Sequence, residues 1–141
     1  MEVKIAVEKE DLDHVFDIRK LVFVEEKGVP VEDEIDEFEK CSDHIIVYYN
    51  KQPAAAGRLR IIDDTAKLER ICVKPEFRKL GLGKVVVHAL ETAAREKGIR
   101  KLKLHAMQDI KKFYTKLGYT QNSDEFMEAG IPHVLMTKSI T

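Results

Sequence analysis

The segment from Lys67 to Lys97 constrains the fold most. Lys67-Leu68-Glu69-Arg70-Ile71-Cys72-Val73 reads as a strand, Pro75 closes it, and Arg78-Lys79-Leu80-Gly81-Leu82-Gly83-Lys84 forms a glycine loop. From Gly81 to Lys97 the apolar residues Leu82, Val86, Ala89, Leu90 and Ala93 then recur on one helix face, and Gly98 ends the pattern. A strand feeding a long helix through two glycines leaves the first amides of that helix free, and they carry partial positive charge. Phosphate oxygens placed there gain several hydrogen bonds at once. With Arg78, Lys79 and Lys84 close by, the loop reads as a diphosphate cradle, whereas a purely structural reading makes Gly81 and Gly83 the residues of a tight turn.

Two better-known phosphate loops are excluded residue by residue. A Walker A loop needs Gly where Arg78 stands and Ser or Thr where Val85 stands, and the dinucleotide fingerprint needs Gly or Ala where Val86 stands.

Around this centre the chain alternates element types. Val3, Ile5 and Val7 alternate as a strand, and Asp11 to Lys27 follows helical spacing through Leu12, Val15, Phe16, Arg19 and Phe23, with Gly28 and Pro30 ending it. His44–Tyr49, Ala54–Ile62 and Lys67–Val73 predict three strands in an antiparallel meander. Lys101–His105 predicts a strand, Asp109–Leu117 a short helix ending at Gly118, and Val134–Thr137 a last strand. The result is a mixed α/β (α+β) domain. At 141 residues, 44% of them apolar, residues 1–141 are expected to form one domain around one core.

Charge and cysteine content narrow the function classes. Twenty-four basic and 25 acidic residues nearly cancel, which argues against nucleic-acid or membrane-surface binding driven by net charge. Cys41 and Cys72 form no CxxC pair and suit no zinc spacing, so no metal is expected and a reduced compartment fits. The start Met1-Glu2-Val3-Lys4-Ile5 has no secretory pattern, and no apolar run approaches the roughly 18 residues of a membrane span. A cytoplasmic location is therefore expected.

The loop motif resembles the GNAT acetyltransferase superfamily, whose signature is a strand, then Arg/Gln-x-x-Gly-x-Gly/Ala, then a long helix; Arg78, Gly81 and Gly83 fill it. Further on, Phe113-Tyr114-Thr115-Lys116-Leu117-Gly118-Tyr119 is similar to that family's Phe-Tyr-x-Lys-x-Gly-Phe/Tyr segment. Nearly the whole chain resembles the small bacterial ElaA-like branch, through Val22-Phe23-Val24-Glu25-Glu26, Asp43-His44, Leu68 to Val73 and Gly130-Ile131-Pro132-His133. That branch often reads Leu-His-Ala-Gln, whereas here Leu104-His105-Ala106 is followed by Met107 and then Gln108.

The resemblance implies a mostly antiparallel sheet, splayed at its middle strands, with helices on both faces. It also implies acetyl-CoA as cosubstrate, transferred without a covalent acyl-enzyme to a primary amine of a small molecule or peptide. The strand before the loop would leave backbone around Ile71, Cys72 and Val73 free for the pantetheine arm, with the Val73 amide polarising the thioester carbonyl. The loop from Arg78 to Lys84, with Phe113, would hold the rest of the cofactor. Tyr114 is the candidate acid for the thiolate, its alternative being a packed aromatic beside Phe113.

An ammonium acceptor also needs a base. Glu69 is the candidate, expected to share a strand face with Ile71; the competing reading is an ordinary carboxylate paired with Arg58 or Arg60. His44 and His105 would line the acceptor side and share base duty, or serve as structural histidines. Phe23 and the stretch to Glu39, with the C-terminal hairpin, would wall the acceptor pocket. Cys72 reads as a buried apolar thiol before it reads as a nucleophile. The acidic run Glu25-Glu26 and Glu32 to Glu39 reads first as a solvated face, and second as an attractant for a cationic acceptor such as a polyamine, aminoglycoside or lysine side chain. The alternative function is a non-catalytic acyl-CoA-binding module, and an exposed strand edge would permit a homodimer.

Overall fold

A computed structural model describes all residues from Met1 to Thr141. The elements in order are β1 (Glu2–Ile5), α1 (Lys9–Arg19), a π-helical turn (Lys20–Glu26), α2 (Val31–Glu34), β2 (Asp43–Tyr49), β3 (Gln52–Ile62) and β4 (Thr65–Val73). Then follow a short 3₁₀ turn (Pro75–Phe77), α3 (Leu82–Glu96), β5 (Lys101–Met107), a second 3₁₀ turn (Gln108–Ile110), α4 (Lys111–Lys116), β6 (Thr120–Gln121), β7 (Phe126–Glu128) and β8 (Ile131–Ser139). They build one eight-stranded sheet in the order β1-β2-β3-β4-β5-β8-β6, with β7 paired to β8. The β4–β5 pair is parallel and the others are antiparallel. This is the mixed α/β architecture expected from the sequence. No helix is long and apolar enough to cross a membrane.

Each face of the sheet buries its own apolar set, because alternate residues of a strand point to opposite sides. On one face Leu82, Val86, Val87 and Leu90 of α3 pack on Ile45, Val47, Leu59, Leu68 and Leu104. On the other, Val15 and Ile18 of α1, with Val22, cover Ile46, Ala56 and Cys72. The helix α3 approaches β3 closely at Gly57, where a Cβ would lie 2.5 Å from Val86 Cγ1. Only glycine fits there.

Two sequence expectations are corrected. The helix expected from Asp11 to Lys27 is α-helical only to Arg19; beyond it the Lys27 amide reaches back five residues to the Val22 carbonyl, at 3.1 Å, as in a π-turn. The acidic run is a solvated face only in part: Glu25, Glu26, Glu32, Asp33 and Glu37 are exposed, but three of its carboxylates are not. Glu34 is 3% exposed, and Glu34, Asp36 and Glu39 turn inward onto arginines.

Candidate active site

The strands β4 and β5 pair from Thr65–Lys101 to Leu68–Leu104 and then part. What separates them is a bulge in β4. Ala56 faces Cys72 and Arg58 faces Glu69, so Arg70 and Ile71 together oppose the single residue Gly57, and Arg70 takes φ +55°. The extra residue resets the alternation. Glu69 and Ile71 are therefore not on one face, as expected, but on opposite ones: Ile71 packs toward α3, while Glu69 lies on the α1 side beside Arg58.

A cavity of about 430 Å³ opens at this parting. Its walls include Phe23, Glu69, Ile71, His105 and Tyr114, which brings five of the expected residues together. Met107 also lines it, and Gln108 does not. His44 is not part of it. That ring is buried at 3% exposure, packs on Phe16 and holds the Glu39 carbonyl with Nε2 at 2.9 Å, and burial pushes its pKa down. It therefore stands as a structural histidine, outside the acceptor side where it was expected.

Glu69 sits at the cavity wall inside an ion network. Its Oε1 accepts from Arg58 at 2.7 Å and Arg60 at 3.1 Å, and its Oε2 lies 3.1 Å from Lys67 Nζ. Burial alone would raise this carboxyl, but Arg60, Arg58 and Lys67 outweigh it and bring it from 4.5 to about 2. So acidic a carboxyl is a weak proton acceptor at neutral pH. The pairing with Arg58 and Arg60 is thus what the geometry displays. The network continues: Arg58 also forks onto Asp36 at 2.8 and 2.9 Å, and the buried Arg19 holds Glu34 and Glu39.

Tyr114 projects from α4 to the same cavity and is 6% exposed. Burial pushes its phenol well above the usual range, so it keeps its proton and can donate one. Cys72 lies on the α1 side, its thiol 3.9 Å from the Ala56 carbonyl, and burial raises it to about 12, which keeps it an uncharged core thiol.

The glycine loop follows β4 and the first 3₁₀ turn and leads into α3. Lys79 and Gly81 both take left-handed φ, +71° and +77°, and no side chain caps the helix. The bond from the Val85 amide to the Gly81 carbonyl, at 3.3 Å, leaves the amides ahead of it without helical partners. Leu82 is buried in the core, whereas Arg78, Lys79, Leu80 and Lys84 are exposed. At Gly83 a Cβ would lie 3.3 Å from Phe113 Cζ, so the second motif packs on the first. Arg78 donates through Nε to the Val73 carbonyl at 3.1 Å and grips both oxygens of Glu26 at 2.6 and 2.7 Å.

Sequence reasoning passed over two features. The first is Glu128, which bridges toward His105 and His133 at the far end of the cavity. The other is the Arg70 bulge, whose trace was the lone Gly57 opposite it within a strand pattern.

Residues 23–140 match the model of the acetyltransferase (GNAT) domain. The chain is 50% identical over 141 residues to a Bacillus subtilis (strain 168) protein provisionally named an acetyltransferase, covering 98% of this chain and 96% of that protein. Its fold is similar to the crystal structure of Escherichia coli ElaA, with a TM-score of 0.86 at 24% identity over 98% of this chain and 99% of that one. It is also similar to a Bacillus subtilis acetyltransferase crystallised in complex with CoA, with a TM-score of 0.78 at 18% identity over 99% of each chain. The splayed sheet, the uncapped helix after the glycine loop and the family match agree: the chain belongs to the GNAT acetyltransferase family, and by that membership is an acyl-CoA-dependent N-acetyltransferase.

Proposed function

We propose that the protein moves an acetyl group from acetyl-CoA directly to a primary amine of a small molecule within a ternary complex. The observation that carries this reading is the parting of β4 from β5 beside a cavity that Tyr114 lines, with the uncapped α3 N-terminus packed through Gly83 on the neighbouring Phe113. The CoA held by the Bacillus subtilis neighbour supports the choice of cosubstrate.

In this reading the amides at the start of α3, from Leu82 to Lys84, receive the pyrophosphate, with Arg78 and Lys79 adding charge. The phosphate takes the place of Glu26 on Arg78. The pantetheine arm runs along Ile71 to Val73, where β5 has left β4, and the Val73 amide polarises the thioester carbonyl. Tyr114 gives its proton to the departing thiolate. Glu69 anchors Arg58, Arg60 and Lys67 and thereby fixes the cavity wall rather than removing a proton.

The test is acetyl transfer from acetyl-CoA to a panel of primary amines, followed by mass spectrometry of the amide and thiol release. Stoichiometric amide and CoA thiol are the expected products. Thiol release without amide, or a wild-type protein that binds acetyl-CoA and acetylates no amine, would contradict the reading.

A further inference from the structure

Apart from the arginine-paired carboxylates, the cavity contains a second cluster of titratable side chains, set between β5 and the hairpin of β7 and β8. His105 Nδ1 lies 2.8 Å from Glu128 Oε1, and His133 Nε2 lies 3.7 Å from Glu128 Oε2. All three residues line the cavity. A carboxylate only accepts, so the contact at His105 makes Nδ1 the donor and leaves the lone pair of the neutral ring on Nε2. His133 is locked separately: its Nδ1 donates to the Ile131 carbonyl at 2.7 Å, and Phe126 stacks on its ring. The same Phe126 meets the His105 ring edge-on at 5.0 Å. Packing thus fixes both imidazoles around one carboxylate.

Charge elsewhere in the cavity decides where an ammonium group would go. Glu34, Asp36 and Glu69 are each held by an arginine. Glu128 is paired with histidines alone, and a carboxylate with about four acceptor sites has capacity left after these two contacts. Asp33 on α2 makes no ion pair, but it has no imidazole beside it to take a proton.

We propose that this cluster is the amine-receiving end of the cavity, Glu128 pairing with the incoming ammonium group and His105 Nε2 removing its proton, and that the acceptor is a compact monoamine with an apolar body. The proposal rests on the transferase reading above and deepens it. Phe23, Val29, Ile110 and Ile131 supply apolar wall, and about 430 Å³ suits a small ligand. A polyamine or aminoglycoside would bring several cations to a cavity whose remaining carboxylates are mostly committed.

The step balances. His105 takes one proton from R–NH3⁺ and later returns it to solvent. The freed amine attacks the thioester carbonyl, so a C–N bond forms and the C–S bond breaks. The thiolate takes the Tyr114 proton, and the second proton of the new amide nitrogen restores the phenol. The products are amide, CoA thiol and one released proton.

The charged and titratable groups around His105 are Glu128 on β7, His133 on β8, Lys67 and Glu69 on β4, and Lys103 on its own strand, with Asp33 and Asp36 also in the cavity wall. The experiment compares wild type, His105→Ala, His105→Gln and Glu128→Gln with phenethylamine, spermidine and kanamycin as acceptors, over a pH series. For wild type kcat/KM should favour phenethylamine and fall on the acid side as the base takes up its proton. Both His105 variants should lose about 10²-fold in kcat together with that acid limb, and added imidazole should restore part of the rate to His105→Ala. Glu128→Gln should raise the KM for amine about tenfold with acetyl-CoA affinity held, the loss of a single charge-assisted contact. Unchanged acid limb and kcat in both His105 variants, a KM effect carried by Asp33→Asn in place of Glu128→Gln, or a preference for spermidine or kanamycin would overturn the proposal. Wild type that transfers acetyl normally while the His105 variants match it sinks this assignment alone; wild type that transfers none sinks the transferase reading with it.

Discussion

On the β4 side of the cavity Glu69 faces Arg58, Arg60 and Lys67, whereas on the β5–β8 side Glu128 faces His105 and His133. Both carboxylates are held below their usual range, but by different means. Arginine and lysine keep their charge at any physiological pH, so a carboxylate among them gives up its basicity and becomes part of the scaffold. An imidazole exchanges its proton near neutrality, so a carboxylate beside it shapes a group that can still titrate. One wall is built to hold and the other to exchange. Exposure follows the same division: the side chain of Glu69 is 9% exposed and that of Glu128 46%.

The largest effect should come from breaking the holding wall. Arg58 is 1% exposed and faces Asp36, Glu39 and Glu69 together. Arg58→Met should cost about 3–5 kcal/mol of stability, because three carboxylates lose their shared cation, and the denaturant midpoint reads it out. Glu128→Gln should cost less than about 1 kcal/mol in the same assay, since its pairs are half-exposed. Equal losses would erase the distinction between the walls.

Next in size is Tyr114→Phe, expected to lower kcat by about 10²-fold while acetyl-CoA affinity holds. Glu69→Gln sharpens the contrast: it should lower the unfolding midpoint and leave the acid limb of kcat/KM in place. Loss of that limb on this substitution would return the base role to Glu69.

A graded effect should appear with pH. The folded pKa of Glu69 is about 2 against 4.5 for the free group, so its contribution to stability is full above about 4.5 and is lost as pH falls toward 2. His44, also depressed, has the same sign: its contribution is present above 6.5 and is lost as pH falls through its folded value. Thermal unfolding should therefore drop on acidification, and Glu69→Gln should flatten the part between pH 4.5 and 2.

The smallest effect concerns the cofactor loop. The Arg78–Glu26 pair must open for phosphate to reach the guanidinium, so Glu26→Gln should tighten acetyl-CoA binding by up to about fivefold, the worth of an exposed pair. Weaker binding would mean that Glu26 orients Arg78 for the phosphate instead.

The parts of this molecule that were legible in the sequence are those where a local pattern has one physical solution. The run Leu82, Val86, Leu90 permits only an amphipathic helix, and the strand-loop-helix unit follows from it. The positions of Tyr114, Phe113 and His105 came with their motif and strand. What stayed hidden depends on partners far along the chain. Glu69 lost its basicity to Arg58 and Arg60 of the neighbouring strand, and the change of face at Ile71 required a bulge that period-two reading cannot contain. Glu34 looks like a surface residue until the turn after α1 brings α2 back and sets Glu34 on the buried Arg19. Glu128 carries no signal of its own; register alone, with Glu128 opposite Ile131 and Met107 opposite His133, brings it to two histidines.

The loop at the start of α3 is the element on which the rest depends, and its ligand can be measured directly. Acetyl-CoA, CoA and ATP should be titrated by isothermal calorimetry into wild type and into the double variant Arg78→Glu, Gly81→Asp. Micromolar binding of both CoA species, much weaker binding of ATP and loss of the CoA heats in the variant are the expected result. CoA species that give no binding heat with wild type would contradict it and leave Gly81 and Gly83 as residues of a turn.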